Sequence, residues 1–153
     1  MSTLELKVPP VAQVVVTAAA MYGIAKVLPA LKFSFNGSAV LALGLAVIGV
    51  SSGIMGVIQF REAQTTPNPQ ALEKVSSLVT SGVYNYSRNP MYLGLVLILL
   101  GWALYLSHLL AFVCVVFFVV YITRFQIRPE ERMMAKKFGK HYQAYLAKVR
   151  RWI

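Results

Sequence analysis

Met91 to Phe125 reads MYLGLVLILLGWALYLSHLLAFVCVVFFVVYITRF, an apolar run of 35 residues interrupted midway only by Ser107-His108. A helix needs about 20 apolar residues to cross a bilayer, so the run is too long for one span. It divides at the polar pair into spans of about 91–106 and 109–125, folded back on each other as a helical hairpin. Both are near the short limit, which implies a locally thinned bilayer or burial against neighbouring helices. His108, at the turn, is expected to be solvated.

Working towards the N-terminus, two further spans emerge, about 10–31 and 38–60. The first is entered through Pro9-Pro10, where a missing N–H costs nothing in the first helical turn. Lys26 is its weak point, and near a helix end a lysine can snorkel to the interface. The second contains Gly49-x-x-x-Gly53, a small-residue face that permits close helix contact. Towards the C-terminus, Pro129 opens a segment of about 129–150. From Pro129 on, Met133, Met134, Phe138, Tyr142, Tyr145, Leu146, Val149 and Trp152 recur at three- and four-residue steps between lysines, the pattern of an amphipathic helix lying in the membrane interface.

Composition agrees. The 153 residues are 58% hydrophobic and 13% charged, above the roughly 45–50% apolar content of soluble domains. The expected fold is therefore a single all-α integral membrane domain, 1–153, with four transmembrane helices and an interfacial amphipathic C-terminal helix. The net charge is +10, and its excess is concentrated from Arg124 onward, which suits anionic headgroups; no nucleic-acid motif competes with that reading. With four spans, both termini and the 61–90 loop share one side, and the positive-inside rule makes that side cytoplasmic in an inner membrane. Cys114 is the only cysteine, so no internal disulfide forms. No His/Cys/carboxylate set has metal-ligand spacing, so no metal is expected.

Two polar blocks interrupt the apolar pattern. Ser81 to Gly94 (SGVYNYSRNPMYLG) brings an arginine and tyrosines to the mouth of a span, and Pro129-Glu130-Glu131-Arg132 follows the hairpin. The loop before the first block, Arg61 to Asn89 with Thr65-Thr66-Pro67-Asn68-Pro69 near its start, is long enough to suggest function. Each block also has a plain reading: carboxylates in a first turn complement the helix dipole, and arginine with Tyr84, Tyr86 and Tyr92 can form an interfacial belt. Arg128 and Arg132 flank the acidic pair and are placed to neutralise it. His141 reads as a surface residue.

In order along the chain, Leu78-Val79-Thr80-Ser81-Gly82-Val83-Tyr84, Arg88-Asn89-Pro90-Met91-Tyr92, Glu130-Glu131 and Phe138-Gly139-Lys140-His141-Tyr142-Gln143-Ala144-Tyr145 resemble motifs of one superfamily. It is that of the isoprenylcysteine carboxyl and phospholipid methyltransferases, integral membrane enzymes that use S-adenosylmethionine; the Thr66-Pro67 region looks like its small bacterial members. The membrane setting implies a lipophilic acceptor; the resemblance implies S-adenosylmethionine as cofactor, with S-adenosylhomocysteine as product. It implies Arg88 and Glu131 as reaction residues and Val79, Gly82, Tyr84, Asn89, Pro90, Tyr92, Gly94, Glu130, Glu131 and Tyr142 around the cofactor. One departure is Asn89, where the family has histidine: asparagine keeps a donor and an acceptor but carries no titratable proton.

Residue chemistry supports part of this independently. A sulfonium nucleoside with an amino-acid tail calls for anionic, cationic and aromatic surface together, which Glu130, Glu131, Arg88, Tyr84 and Tyr92 supply. No Gly-x-Gly-x-x-Gly follows a strand, so the site must lie between helices rather than in a Rossmann fold. Two alternatives stay open: an NADPH-dependent enzyme like the membrane sterol reductases, and a non-enzymatic membrane protein whose basic tail binds anionic lipid.

Overall fold

The computed structural model describes residues 5–66 and 75–153. The Pro67-Asn68-Pro69 part of the loop singled out above lies outside the described residues. The long helices are α1 (Pro10–Val27), α2 (Ser38–Glu62), α3 (Pro90–Leu106), α4 (Leu109–Ile122) and α5 (Arg128–Lys148). The first span, expected to reach 31, stops at Val27 because Leu28 precedes Pro29. Leu28 has left the helical region (φ −119°, ψ 63°), and Pro29–Leu31 turn as a short 3₁₀ helix, as the crowding of a proline ring against the preceding residue requires.

Among the described residues, α1, α2 and the continuous Leu109–Lys148 helix are long and apolar enough to cross a membrane, and α3 is a shorter apolar helix of 17 residues. The short helix is the central one. Val96, Leu99 and Ala103 of α3 are buried with Met21 of α1 and Ala111, Val115, Phe118 and Ile122 of α4. By contrast α2 exposes Val40, Leu43, Val47, Ile48 and Ile54, and α4 exposes Val116, Phe117 and Val120. Exposed apolar surface on this scale identifies a lipid-facing belt, and the chain is an all-α integral membrane protein.

Helices α2 and α3 cross backbone against backbone. A Cβ on Gly49 would stand 2.5 Å from the Gly94 carbonyl oxygen, and one on Gly101 would stand 2.7 Å from that of Ala42. The small-residue face anticipated on α2 thus meets a matching one on α3. Ser52 Oγ donates to the Pro90 carbonyl at 2.8 Å, locking the start of α3 to α2. Trp102 Nε1 donates to Ala18 of α1.

The terminal helix corrects the expected separation of span and amphipathic segment: α4 runs into α5 without a break, through a π-helical turn at Thr123–Ile127. The physical cause is Pro129, which supplies no N–H to the Phe125 carbonyl and crowds the preceding turn; widening the helix there relieves it. The Phe125 carbonyl accepts from Leu6 N instead, at 3.1 Å. Gln126, buried beside it, donates to Val8, so the N-terminal segment docks at this end of the molecule. Further along, Gly139 (φ 49°, ψ −120°) breaks α5 in a conformation that only glycine adopts readily.

At the opposite end, His108 is fully buried rather than solvated. Its Nε2 lies 2.8 Å from the Leu28 carbonyl, and its backbone bridges to Lys32. The segment between α1 and α2 folds over the hairpin turn and covers the ring.

Candidate active site

At the end of the bundle where the N-terminal segment docks, α1, α2, α3 and α5 leave a cavity of about 400 Å³, within the roughly 300–1,000 Å³ usual for ligand pockets. Its apolar side is built by Val11 of α1, Gly53 and Val57 of α2, and Met91 and Leu95 of α3; its polar side presents Arg88, Asn89, Glu130 and Glu131, with Tyr84, Tyr92, Tyr142 and Tyr145 around them. The two polar blocks therefore converge although more than 40 residues separate Arg88 from Glu131.

Local structure explains how. Gly82, at φ +57°, opens a 3₁₀ turn over Gly82–Asn85 and lies so close to Gln59 of α2 that a Cβ would strike its side chain. This turn delivers Tyr84 into the cavity wall, where its ring meets Phe60 edge-on at 5.5 Å; Tyr86 points out and is exposed. The break at Gly139 lets the second half of α5 fold back, so that Tyr145 Oη donates to the Tyr84 carbonyl at 2.7 Å. Tyr142 and Tyr145 pack with Leu78 and Met134 in a small satellite core.

The charged groups form a clamp. Arg151 grips Glu131 with both arms, Nε to Oε1 at 2.9 Å and Nη2 to Oε2 at 2.7 Å. Arg88 Nη2 lies 3.3 Å from the same Oε1. Arg88 Nε is buried with no hydrogen-bond partner. Glu130 accepts a hydrogen bond from the Tyr92 hydroxyl. Burial, reinforced by the neighbouring Glu131 charge, outweighs that bond and pushes the Glu130 carboxyl up to about 8. Burial also pushes the Tyr84 and Tyr142 phenols up, and Tyr145 to about 12, so all three remain protonated donors near neutral pH.

Of the residues anticipated from sequence, Val79, Tyr84, Arg88, Asn89, Tyr92, Glu130, Glu131 and Tyr142 line the cavity, and Gly82, Pro90 and Gly94 are outside its lining. Those three shape the backbone: Gly82 the turn, Pro90 the first residue of α3, Gly94 the helix crossing. Asn89 spends its Nδ2 donor on the Arg151 carbonyl at 2.9 Å. The arginines expected to neutralise the acidic pair are not the ones that do. Arg132 pairs with Glu5 at 2.9 Å, because one step along a helix turns its side chain about 100° away from that of Glu131; Glu131 is answered by Arg88 and by Arg151. Sequence reading missed Arg151, whose only signal was an Arg-Arg-Trp run past the last helix.

This fold and this pocket define a multi-pass helical membrane protein with a polar-headed, apolar-bodied cavity at one end of its helices. The chain belongs to the phospholipid methyltransferase family, which matches residues 38–141, and its class is that of the membrane methyltransferases. The match begins with α2 and ends in α5, so it includes Arg88 and Glu131 and stops short of Arg151. An uncharacterized protein of Haemophilus influenzae is 49% identical over 63 residues, 41% of this chain and 100% of that one. The Delta(14)-sterol reductase TM7SF2 of Mus musculus is 31% identical over 97 residues, covering 59% of this chain but only 23% of the reductase. No solved structure matches.

Proposed function

We propose that the protein transfers a methyl group from S-adenosylmethionine to a lipophilic acceptor: a phospholipid amine, a prenylcysteine-like carboxylate or a small thiol. The observation that carries this reading is the buried, unpartnered Nε of Arg88 at the polar head of a cavity whose body is apolar. A buried donor without a partner costs about 1–3 kcal/mol, and an anionic ligand group would satisfy it. The donor set fits the cofactor: carboxylate for its cationic side, and tyrosine rings for the adenine and the sulfonium.

Glu130 would hold the cationic side, and Tyr84, Tyr92 and Tyr142 the aromatic and cationic faces, while Glu131 is committed to Arg151 and Arg88. When bound, S-adenosylmethionine supplies an electrophilic methyl carbon. The chain's own residues do the rest. Arg88 orients the acceptor's anionic group. Glu130, whose carboxyl titrates at about 8, takes the proton that an ammonium or thiol acceptor must lose, a task suited to a group poised near working pH. The apolar walls exclude water. Positioning of this kind can remove about 7–11 kcal/mol of barrier.

The topology proposed with it places both termini and the cavity on the cytoplasmic side of the inner membrane, supported by the basic residues gathered at that end. The test is calorimetry of the solubilised protein with S-adenosylmethionine, S-adenosylhomocysteine and NADPH, followed by transfer of labelled methyl groups into extracted lipids. Uptake of the first two with label in a lipid is the expected result. Binding of NADPH alone would replace this reading with a sterol-reductase-like one; binding of none would leave a non-enzymatic lipid-binding protein.

A further inference from the structure

Resting on that reading, we infer that Arg151 is a positioning residue: it fixes Glu131, and through Glu131 aims the Arg88 guanidinium into the cavity. Arg151 is not among the residues that line the cavity and lies beyond the part of the chain matched by the family. Its backbone and side chain nonetheless hold both halves of the site. The Val149–Ile153 segment turns back after α5 and crosses the residues just before α3. Arg88 N donates to the Arg150 carbonyl at 3.0 Å, Asn89 Nδ2 donates to the Arg151 carbonyl at 2.9 Å, and Ser87 Oγ reaches the same oxygen at 3.4 Å. Trp152 packs against the main helical core beyond it.

The side chain then completes a three-member chain of charge. Both Glu131 oxygens are held by the Arg151 fork, and one of them, Oε1, also holds Arg88. A bidentate guanidinium fixes the plane and distance of a carboxylate, which a lysine ammonium cannot do. Glu131 so fixed anchors one Nη of Arg88 and leaves its buried Nε uncommitted. Two arginines share one carboxylate, which leaves one positive charge in excess within the clamp. That excess suits an anionic group on the ligand.

The experiment is a double-mutant cycle between Arg151→Ala and Glu131→Gln in the full chain. It reads S-adenosylhomocysteine affinity by calorimetry, reactivity of Arg88 towards phenylglyoxal by peptide mapping, and methyl transfer to extracted lipid. Turnover of Arg151→Ala should fall about 100-fold, the scale of an ångström-sized misplacement, with affinity for S-adenosylhomocysteine held within about threefold. Arg88 should gain phenylglyoxal reactivity in both single variants, and the double variant should be no slower than Glu131→Gln alone. Should Arg151→Ala not fold, Arg151→Lys, which keeps charge and stem but loses the fork, takes its place with the same expectation. Full turnover in the Arg151 variant, or losses that add across the cycle, overturns this inference alone. A wild-type protein that takes up no S-adenosylhomocysteine overturns the methyltransferase reading and this inference with it.

Discussion

Gly49 and Gly53 stand one turn apart on the same face of α2, yet they meet opposite surroundings. At Gly49 the α3 backbone leaves no room for a side chain; at Gly53 an added Cβ meets nothing within 4 Å and the residue lines the cavity. At Gly49 and Gly94 the two helices meet backbone to backbone, whereas at Gly56, nearer the end that holds Arg88, α2 meets the side chain of Met91. What separates the scaffold from the site is thus one helical turn. The cavity opens beside Gly53, one turn from the backbone-to-backbone crossing.

Replacing Arg88 with Ala challenges the cavity side most severely: transfer should fall about 10²–10³-fold, comparable to losing one preorganised donor in an anion site. Melting should change little, and equal turnover would remove Arg88 from the mechanism. On the scaffold side, Gly49→Ala should cost up to about 3 kcal/mol, because backbone faces backbone and cannot move aside. Thermal denaturation in detergent measures it, and an unshifted midpoint would show that the helices can separate freely.

Gly139→Ala should cost about 1–3 kcal/mol, since it puts a Cβ into a conformation meant for glycine. It should also reduce cofactor affinity in the calorimeter, because Tyr142 and Tyr145, which line the cavity, both follow that bend. Retained affinity would make the bend irrelevant to the site.

Glu130 gives a pH test. Below its value of about 8, transfer should fall about tenfold per pH unit as the base is protonated, and Glu130→Gln should abolish that inflection. Its folded value lies above the ordinary 4.5, so the folded state binds the proton more tightly. That contribution to stability is whole below the ordinary value and is lost as pH climbs through 8, so the wild type should melt at lower temperature on the alkaline side. A flat profile in both measurements would rule out Glu130 as the base.

The smallest effect is expected at Gly53→Ala, which should stabilise α2 by up to about 1 kcal/mol, the helix-propensity gain, while trimming the cavity. If Gly53→Ala is instead as damaging as Gly49→Ala, the contrast drawn between the two positions is wrong.

The helices, the hairpin and the convergence of the two polar blocks were legible because apolar run length and motif order are one-dimensional signals. The roles of individual residues were legible only in part. Tyr84, Tyr92 and Glu130 reach the cavity as their motifs suggested, but Gly82, Pro90 and Gly94 of the same motifs build the backbone around it. His108 looked exposed because nothing local shows that the 28–37 segment will cover it. The π-helical turn was hidden because a proline after an apolar run reads equally well as a helix start.

Hydropathy and charge along the chain, being sums over neighbours in sequence, were enough to determine a multi-pass helical membrane protein with a basic, carboxylate-bearing end. Which cation answers which anion was decided by the tertiary structure, because an ion pair depends on distances of about 3 Å between side chains that the chain order leaves free. Arg132, adjacent to Glu131 in sequence, turns away to Glu5, and Arg151, 20 residues on, closes the clamp.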